Sequence, residues 1–178
     1  MTDIWFIGDT HLGHTNILKF LKEDGFPLRP FKSTWEMEGV IFERWCEVVK
    51  PEDTVYHLGD VAFTQDALFR MRTLPGKKQL IRGNHDGFSM NTYLDVFDNV
   101  YGVKTVDRYW LSHVPMHTCS IGRAKLNIHG HLHAGHVRHP DGMLDKRYYN
   151  VSVEQIDYRP INFDSIREYW KRNVSSGI

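Results

Sequence analysis

The feature that most constrains this chain is a series of short apolar runs, each cut off by a glycine or a serine and followed at once by a side chain able to bind a metal. Residues 3–8 are rich in β-branched and aromatic side chains and read as a strand that stops at Gly8, ahead of Asp9-Thr10-His11. Gly59-Asp60 follows a predicted strand over 53–58, and Gly83-Asn84-His85-Asp86 follows one over 78–82. Ser112-His113 ends a later strand, and His129-Gly130-His131-Leu132-His133 ends another. In open α/β sheets, ligands collect beyond the carboxyl ends of the strands. Glycine at such a turn is expected to let the backbone reverse sharply, aiming the next side chain into the cleft. Taken singly, each residue has a plainer explanation. Asp9 or Asp60 is an ordinary turn residue, Asn84 suits a left-handed turn, and His131 with His133 is one polar face of a strand. Those explanations fail jointly, because every one of these strand ends carries a ligand-competent side chain.

The remaining segments supply a frame. Thr15 to Leu21 is expected to form a short helix capped by Thr15. Ser33-Thr34-Trp35-Glu36 is a capping box. The helix after it places Met37, Ile41, Trp45 and Val48 on one face and closes at Pro51. Thr64 caps a helix that runs to about Leu74 and ends at Pro75-Gly76. Beyond residue 99 the pattern changes to strands near 100–106, 108–113, 124–129 and 147–153, with a closing helix over Asn162 to Val174. Asp24 to Pro30 is a loop. No repeat or linker interrupts the 178 residues, so one domain over 1–178 is expected. Its class is α/β, with a mixed sheet or two packed sheets.

Composition narrows the partners. Lys+Arg and Asp+Glu balance at 22 each. A dedicated nucleic-acid binder usually carries a basic excess, so a nucleic acid is a partner the charge does not support. The start of the chain does not read as a signal peptide, and no apolar run approaches a membrane span. Cys46 and Cys119 form no C-x-x-C and no disulfide framework. A cytoplasmic protein with no membrane partner is expected. Histidine is unusually common, at 11 residues, and seven of them fall between His113 and His139.

Asp9, His11, Asp60, Asn84, His113, His131 and His133 together offer two carboxylates, one amide oxygen and four imidazoles. Such a mixed oxygen and nitrogen set suits Mn²⁺, Fe, Ni²⁺, Zn²⁺ or Co²⁺ better than the all-oxygen sites of Mg²⁺ or Ca²⁺. The set contains no thiolate, which disfavours a structural zinc finger. Seven ligands are too many for one zinc and suit two neighbouring ions if one carboxylate bridges.

These motifs, in order, resemble those of the calcineurin-like metallophosphoesterases: D-x-H at Asp9-Thr10-His11, GD at Gly59-Asp60, GNH[DE] at Gly83 to Asp86, a single His at His113, and GHxH at Gly130 to His133. The tail around Asn150 to Glu154 and Tyr158 to Ile161 is similar to the small, uncapped bacterial and phage branch. The resemblance implies a double β-sandwich flanked by helices (αββα). It implies two divalent metal ions, Mn²⁺ foremost, with Asp9, His11 and His133 on one ion and Asn84, His113 and His131 on the other. Asp60 would bridge them. It further implies hydrolysis of a phosphate mono- or diester, because a metal pair lowers the pKa of a shared water and so supplies hydroxide. His85 would face the substrate as general acid or electrostatic clamp, with Asp60 and Asn84 completing the catalytic set.

The chain departs from the family at one position. Relatives with GD-x-x-D use the second Asp to orient this histidine, and here Phe63 stands in its place. Asp86 is not assigned that task. His14 completes D-x-H-x-x-H and is either a substrate-phosphate contact or a helix-entry residue capping backbone. Arg123 is a candidate for neutralising substrate charge, though an exposed arginine needs no such role. His57 reads as a satisfied core histidine, and His117, His129, His136 and His139 as surface or supporting residues. Asn150 or Glu154 is a candidate to orient a ligand histidine. A scaffolding module on the same fold and a nuclease are the alternatives. The chain has no length for a cap domain, so an open cleft is expected, with substrate choice set by the loops at 22–33, 87–98, 114–123 and 134–147.

Overall fold

The computed structural model describes residues 2–175. As expected, two mixed sheets pack face to face with helices outside them. The first sheet holds β1 (Ile4–Ile7), β2 (Thr54–His57), β3 (Lys77–Ile81), β4 (Asn99–Tyr101) and β9 (Ile161–Asn162), in the order β4-β3-β2-β1-β9. Its first four strands run parallel and β9 is antiparallel to β1. The second sheet holds β5 (Val103–Val106), β6 (Tyr109–Ser112), β7 (Leu126–His129) and β8 (Tyr148–Asn150), in chain order. Here β5 is antiparallel to β6, and β6, β7 and β8 are parallel.

Strand alternation sorts the apolar side chains into two cores. Phe6, Tyr56 and Ile81 face the second sheet and meet Tyr109, Leu111, Leu126 and Ile128. Ile7, Val55 and Leu80 point the other way, toward α1 (Thr34–Val48), α2 (Gln65–Arg70) and α3 (Met90–Leu94). From α1 come Met37, Ile41 and Trp45, buried as the periodicity requires. The closing helix α4 (Phe163–Asn173) drives Phe163 and Ile166 into the core between the sheets. The outer side of the second sheet is covered by the 114–121 segment, where Asn127 Oδ1 accepts from the Met116 amide and Tyr148 donates to the Met116 carbonyl.

Several local expectations are refined. Ser33 caps α1 by accepting from the Glu36 amide, but the returning Glu36 carboxylate takes the Lys32 amide instead of that of Ser33. The helix after Thr64 shortens to α2 plus a 3₁₀ turn at Met71–Thr73. Thr15 caps nothing: Thr15–Lys19 is a 3₁₀ turn with His14 at its entry and no side-chain cap. The run over 100–106 divides at Gly102, where the chain leaves the first sheet as β4 and enters the second as β5. Cys46 and Cys119 are unpaired and exposed. Among the described residues no helix is long and apolar enough to cross a membrane.

The two sheets join at one end. The Gly8 amide donates to Val151 and the Val153 amide to Gly8, so the chain beyond β1 pairs with the chain beyond β8. All five metal-competent turns converge on that seam.

Candidate metal centre

Backbone pairing first brings the Asp9 and Asp60 turns side by side. The Asp9 amide donates to Gly59, that of His11 to Asp60 and that of Leu12 to Val61, at 2.9 to 3.0 Å. This continues the β1–β2 register past the sheet. The Gly130 amide donates to His113, which ties the last two turns together.

Asp9, His11 and His133 offer ligand atoms that all lie within 4.8 Å of one another, and so do Asp60, His113 and His131. Asn84 Oδ1 joins the second group, 2.8 Å from His113 Nε2 and 3.0 Å from His131 Nδ1. Asp60 Oδ2 lies 3.6 Å from His11 Nε2 in one group and 3.3 Å from His113 Nε2 in the other. Two ligands on one ion, at bonds of roughly 2.1 Å, stand roughly 3–3.5 Å apart, close to these separations. Among the described residues, His11 Nε2 is buried with no hydrogen-bond partner. An orphaned buried acceptor costs about 1–3 kcal/mol, and a cation at that lone pair removes the cost. The donor set therefore fits two ions. Asp9, His11, Asp60 and His113 are buried, His131 and His133 are half-buried and Asn84 is exposed, so the cluster opens to solvent on one side.

The conformational cost is concentrated in these residues. Asp9, His11, Asp60, His131 and His133 all have φ between 49° and 69°. Among the described residues nine non-glycine residues take positive φ, and five of them belong to this cluster, where the left-handed region is unfavourable for side-chain-bearing residues. Gly59, with φ of 90°, makes the sharp turn expected of it, but the other turn glycines serve a different purpose. Gly8, Gly83 and Gly130 do not have positive φ; the ligand residues make the sharp turns themselves. What Gly83 and Gly130 give is room. A Cβ on Gly83 would stand 2.3 Å from Asp60 Oδ1, and one on Gly130 would stand 2.3 Å from Asp9 Oδ2. Each carboxylate lies against the backbone of a neighbouring turn and takes its amides. Asp9 accepts from the His131 amide at 2.9 and 3.0 Å, and Asp60 from the His85 amide at 2.8 Å.

Burial sets the protonation states. It pushes Asp9 up to about 6, against the pull of the nearby His113 and His133. It pushes His11 down to about 2, helped by the Arg29 charge. His11 is thus a neutral donor and its contact with Asp60 is not an ion pair. Asp60 falls to about 2: burial would raise it, but the His113 hydrogen bond and charge and the His85 amide prevail. Burial also opposes the rise at His113, which the Asp60 hydrogen bond and the Asp9 and Asp60 charges bring about.

The other candidates divide. His85 is exposed at the mouth, its ring 5.4 Å from that of Phe63 and 5.9 Å from that of His11. Where the D-x-H…GD-x-x-D pattern would place a carboxylate, the Phe63 ring packs instead. His14 does not cap a helix. Its Nδ1 lies 3.1 Å from His11 Nδ1, and its ring stacks on Phe63 at 3.9 Å. Arg123 is not brought to the cluster. It precedes β7, at the end of that strand opposite His129, with its carbonyl accepting from Arg108. Asp86 points into the protein and accepts from the amides of Asp60, Val61 and Gly83. Glu154 is the carboxylate beside a ligand histidine, with Oε1 3.0 Å from His133 Nδ1. Asn150 instead donates to the His133 and Gly135 carbonyls. Sequence reasoning passed over Arg29, a fully buried side chain in what reads as a surface loop, and Ser152, whose hydroxyl donates to Asp9 Oδ2.

No family model matches the chain. It is 33% identical over 171 residues to the uncharacterized protein MJ1445 of Methanocaldococcus jannaschii, a match that covers 93% of this chain and 90% of that protein. It is 30% identical over 138 residues to the Gene 66 protein of Mycobacterium phage L5, covering 73% of this chain and 58% of that one. Among solved structures, AQ665 of Aquifex aeolicus, a protein of unknown function, superposes with a TM-score of 0.74 at 30% identity, covering 94% of this chain and 99% of that one.

Proposed function

This chain belongs to one family with MJ1445 and AQ665, and we propose that it hydrolyses phosphate esters with a pair of divalent metal ions. Those relatives bring no activity with their names, so the reading rests on the site. The observation that carries it is Asp60, whose Oδ2 faces a nitrogen of each ligand group, at 3.6 and 3.3 Å. Asp9, His11 and His133 would hold one ion; Asn84, His113 and His131 the other; Asp60 would bridge. When bound, such a pair supplies Lewis acidity and a water acidified toward neutral pH. Mn²⁺ is the ion we favour for this oxygen and nitrogen set.

The chain's own groups account for the rest. Asp9 and Asp60 offset only part of the charge of two divalent ions, leaving the pocket attractive to a phosphate. His85, exposed at the mouth, would donate a proton to the leaving alcohol. An open groove of about 760 Å³ begins at His133 and runs between the 20–28 segment and the 132–138 loop. Phe20, Leu21 and Leu28 give it an apolar side, and Lys22, Glu23, Asp24 and Arg138 charged edges of both signs. It is the place for the organic part of the ester, in a protein we place in the cytoplasm. Retention of all seven ligands and His85 weighs against a scaffolding role.

The test is hydrolysis of p-nitrophenyl phosphate and bis(p-nitrophenyl) phosphate by chelator-treated protein, before and after Mn²⁺ is restored. Activity should appear only with metal, and both Asp60→Asn and His85→Ala should abolish it. Full activity in either variant refutes the assignment of roles.

A further inference from the structure

The buried side chain of Arg29 touches one half of the metal centre and not the other. Its Nη2 donates to the Asp9 carbonyl and its Nη1 to the Thr10 carbonyl at 2.9 Å. Its Nε donates at 2.7 Å to Glu154 Oε1, the same oxygen that lies 3.0 Å from His133 Nδ1. The side chains of Arg29 and Glu154 are 0% and 5% exposed, so this pair sits in a medium where it is held firmly or not tolerated at all. Apart from a 3.3 Å contact of Nη1 with Met37 Sδ, these bonds lead to Asp9, to the residue between Asp9 and His11, or through Glu154 to His133. Among the described residues, no hydrogen bond or ion pair of Arg29 reaches Asp60, Asn84, His113 or His131.

From this asymmetry we infer that Arg29, acting through Glu154, is a positioning residue that builds the Asp9–His11–His133 site selectively. The inference rests on the two-ion reading above. Two physical effects make up the device. The planar guanidinium presents several donors in a fixed fork, and here the fork holds two successive carbonyls of a turn whose Asp9 and His11 have φ of 55° and 50°. It thereby stabilises the backbone shape those ligands need. Glu154 is a carboxylate, so its Oε1 accepts from His133 and fixes the proton on Nδ1. That leaves the Nε2 lone pair for the ion, the arrangement in which an outer carboxylate orients a ligand imidazole. Lysine could supply the charge of Arg29 but not the three directed bonds.

The experiment is metal uptake, read without any substrate. Chelator-treated wild type, Arg29→Lys, Arg29→Gln, Glu154→Gln and the surface control Arg159→Gln are dialysed against Co²⁺. Bound metal per chain and the visible Co²⁺ spectrum are then measured across concentration, with circular dichroism to score folding. Wild type and Arg159→Gln should each take up two ions. Both Arg29 variants and Glu154→Gln should keep one site at wild-type affinity and weaken the other by roughly 10–100-fold, with selective loss of one component of the spectrum. If the Arg29 variants do not fold, Glu154→Gln decides alone, since glutamine keeps an oxygen toward Arg29 and His133. Two equally tight ions in Glu154→Gln, or equal weakening of both sites, overturns the inference. Fewer than two ions in the wild type overturns the phosphoesterase reading itself, and this inference with it.

Discussion

Gly130 and Asp9 are fitted to each other: a methyl group on Gly130 would stand 2.3 Å from Asp9 Oδ2, and the next amide along, that of His131, donates to both oxygens of the same carboxylate. The backbone at Gly130 does not have positive φ, so alanine suits its conformation and offends only by its side chain. Gly130→Ala is expected to displace Asp9, lower metal uptake and reduce hydrolysis by about 100-fold or more, since an ångström of misplacement is costly. Gly39→Ala is the matching control. It lies in α1 with nothing near the added carbon, and should stabilise the protein by about 0.5–1 kcal/mol. Urea titration and metal analysis of the two variants separate the effects. A Gly130→Ala protein with both ions and full activity would remove the role assigned to this close approach.

Asp86 does for the Asp60 turn what no ligand can do for itself. Its two oxygens take three amides, those of Asp60, Val61 and Gly83, at 2.8 to 2.9 Å, and so tie the turn after β2 to the turn after β3. Asparagine keeps one oxygen and puts a donor where an acceptor is needed. Asp86→Asn should cost about 1–3 kcal/mol of stability through unsatisfied buried amides. It should also weaken metal binding, measured by thermal unfolding with and without Mn²⁺. An unchanged midpoint in both conditions would show that the turns hold without it.

Phe63 occupies the fourth position of the GD-x-x-D pattern, where the resemblance would place a carboxylate, and its ring lies 5.4 Å from that of His85. An aromatic ring stands where a carboxylate could accept from the imidazole and orient it. Phe63→Asp should supply that acceptor. If His85 acts on the leaving alcohol, kcat should rise several-fold in Phe63→Asp while metal uptake stays at two ions. An unchanged kcat, in a variant that still binds two ions, would take His85 out of the proton transfer.

The candidate ligand set was legible because ligands must sit at fixed places relative to strand ends, and strand ends are marked by glycine. Asp9, His11, Asp60, Asn84, His113, His131 and His133 come together on that logic alone. What supports them was not legible. Arg29 stands in a segment with the composition of a loop, and nothing local separates a buried arginine there from a solvated one. Asp86 is adjacent to His85 in the chain, but the two side chains serve opposite sides of the turn. His14 and Arg123 fit the chemistry by type, yet His14 goes to His11 and Arg123 stays at the far end of β7. The division of the 100–106 run into strands of different sheets has a local mark, Gly102, but its meaning depends on which partners the flanking residues find.

His57 makes stability depend on pH in a direction that can be worked out. The Thr10 hydroxyl donates to the Val61 carbonyl, so it accepts from His57 Nε2 at 2.9 Å, and His57 carries its proton there. Among the described residues Nδ1 is buried without a partner; the satisfied core histidine expected from sequence is satisfied at one nitrogen only. A second proton has nowhere to go, and burial pushes the group down to about 3. The unfolded chain takes that proton near pH 6.5 while the native chain refuses it until about pH 3. Between those values the unfolded state binds more protons, so stability falls as pH falls. It is fully present above pH 6.5, and about 2 kcal/mol of it is lost by pH 5, at 1.36 kcal/mol per unit. Asp9, raised to about 6, pushes the opposite way in metal-free protein, so the effect must be read as a difference between variants. Gln at position 57 can donate to Thr10 but cannot titrate. Urea unfolding of metal-free wild type and His57→Gln at pH 7.5 and pH 5 should show the gap between the two proteins shifting by about 2 kcal/mol in favour of the variant at the lower pH. An equal gap at both would mean that His57 accepts its second proton in the folded state.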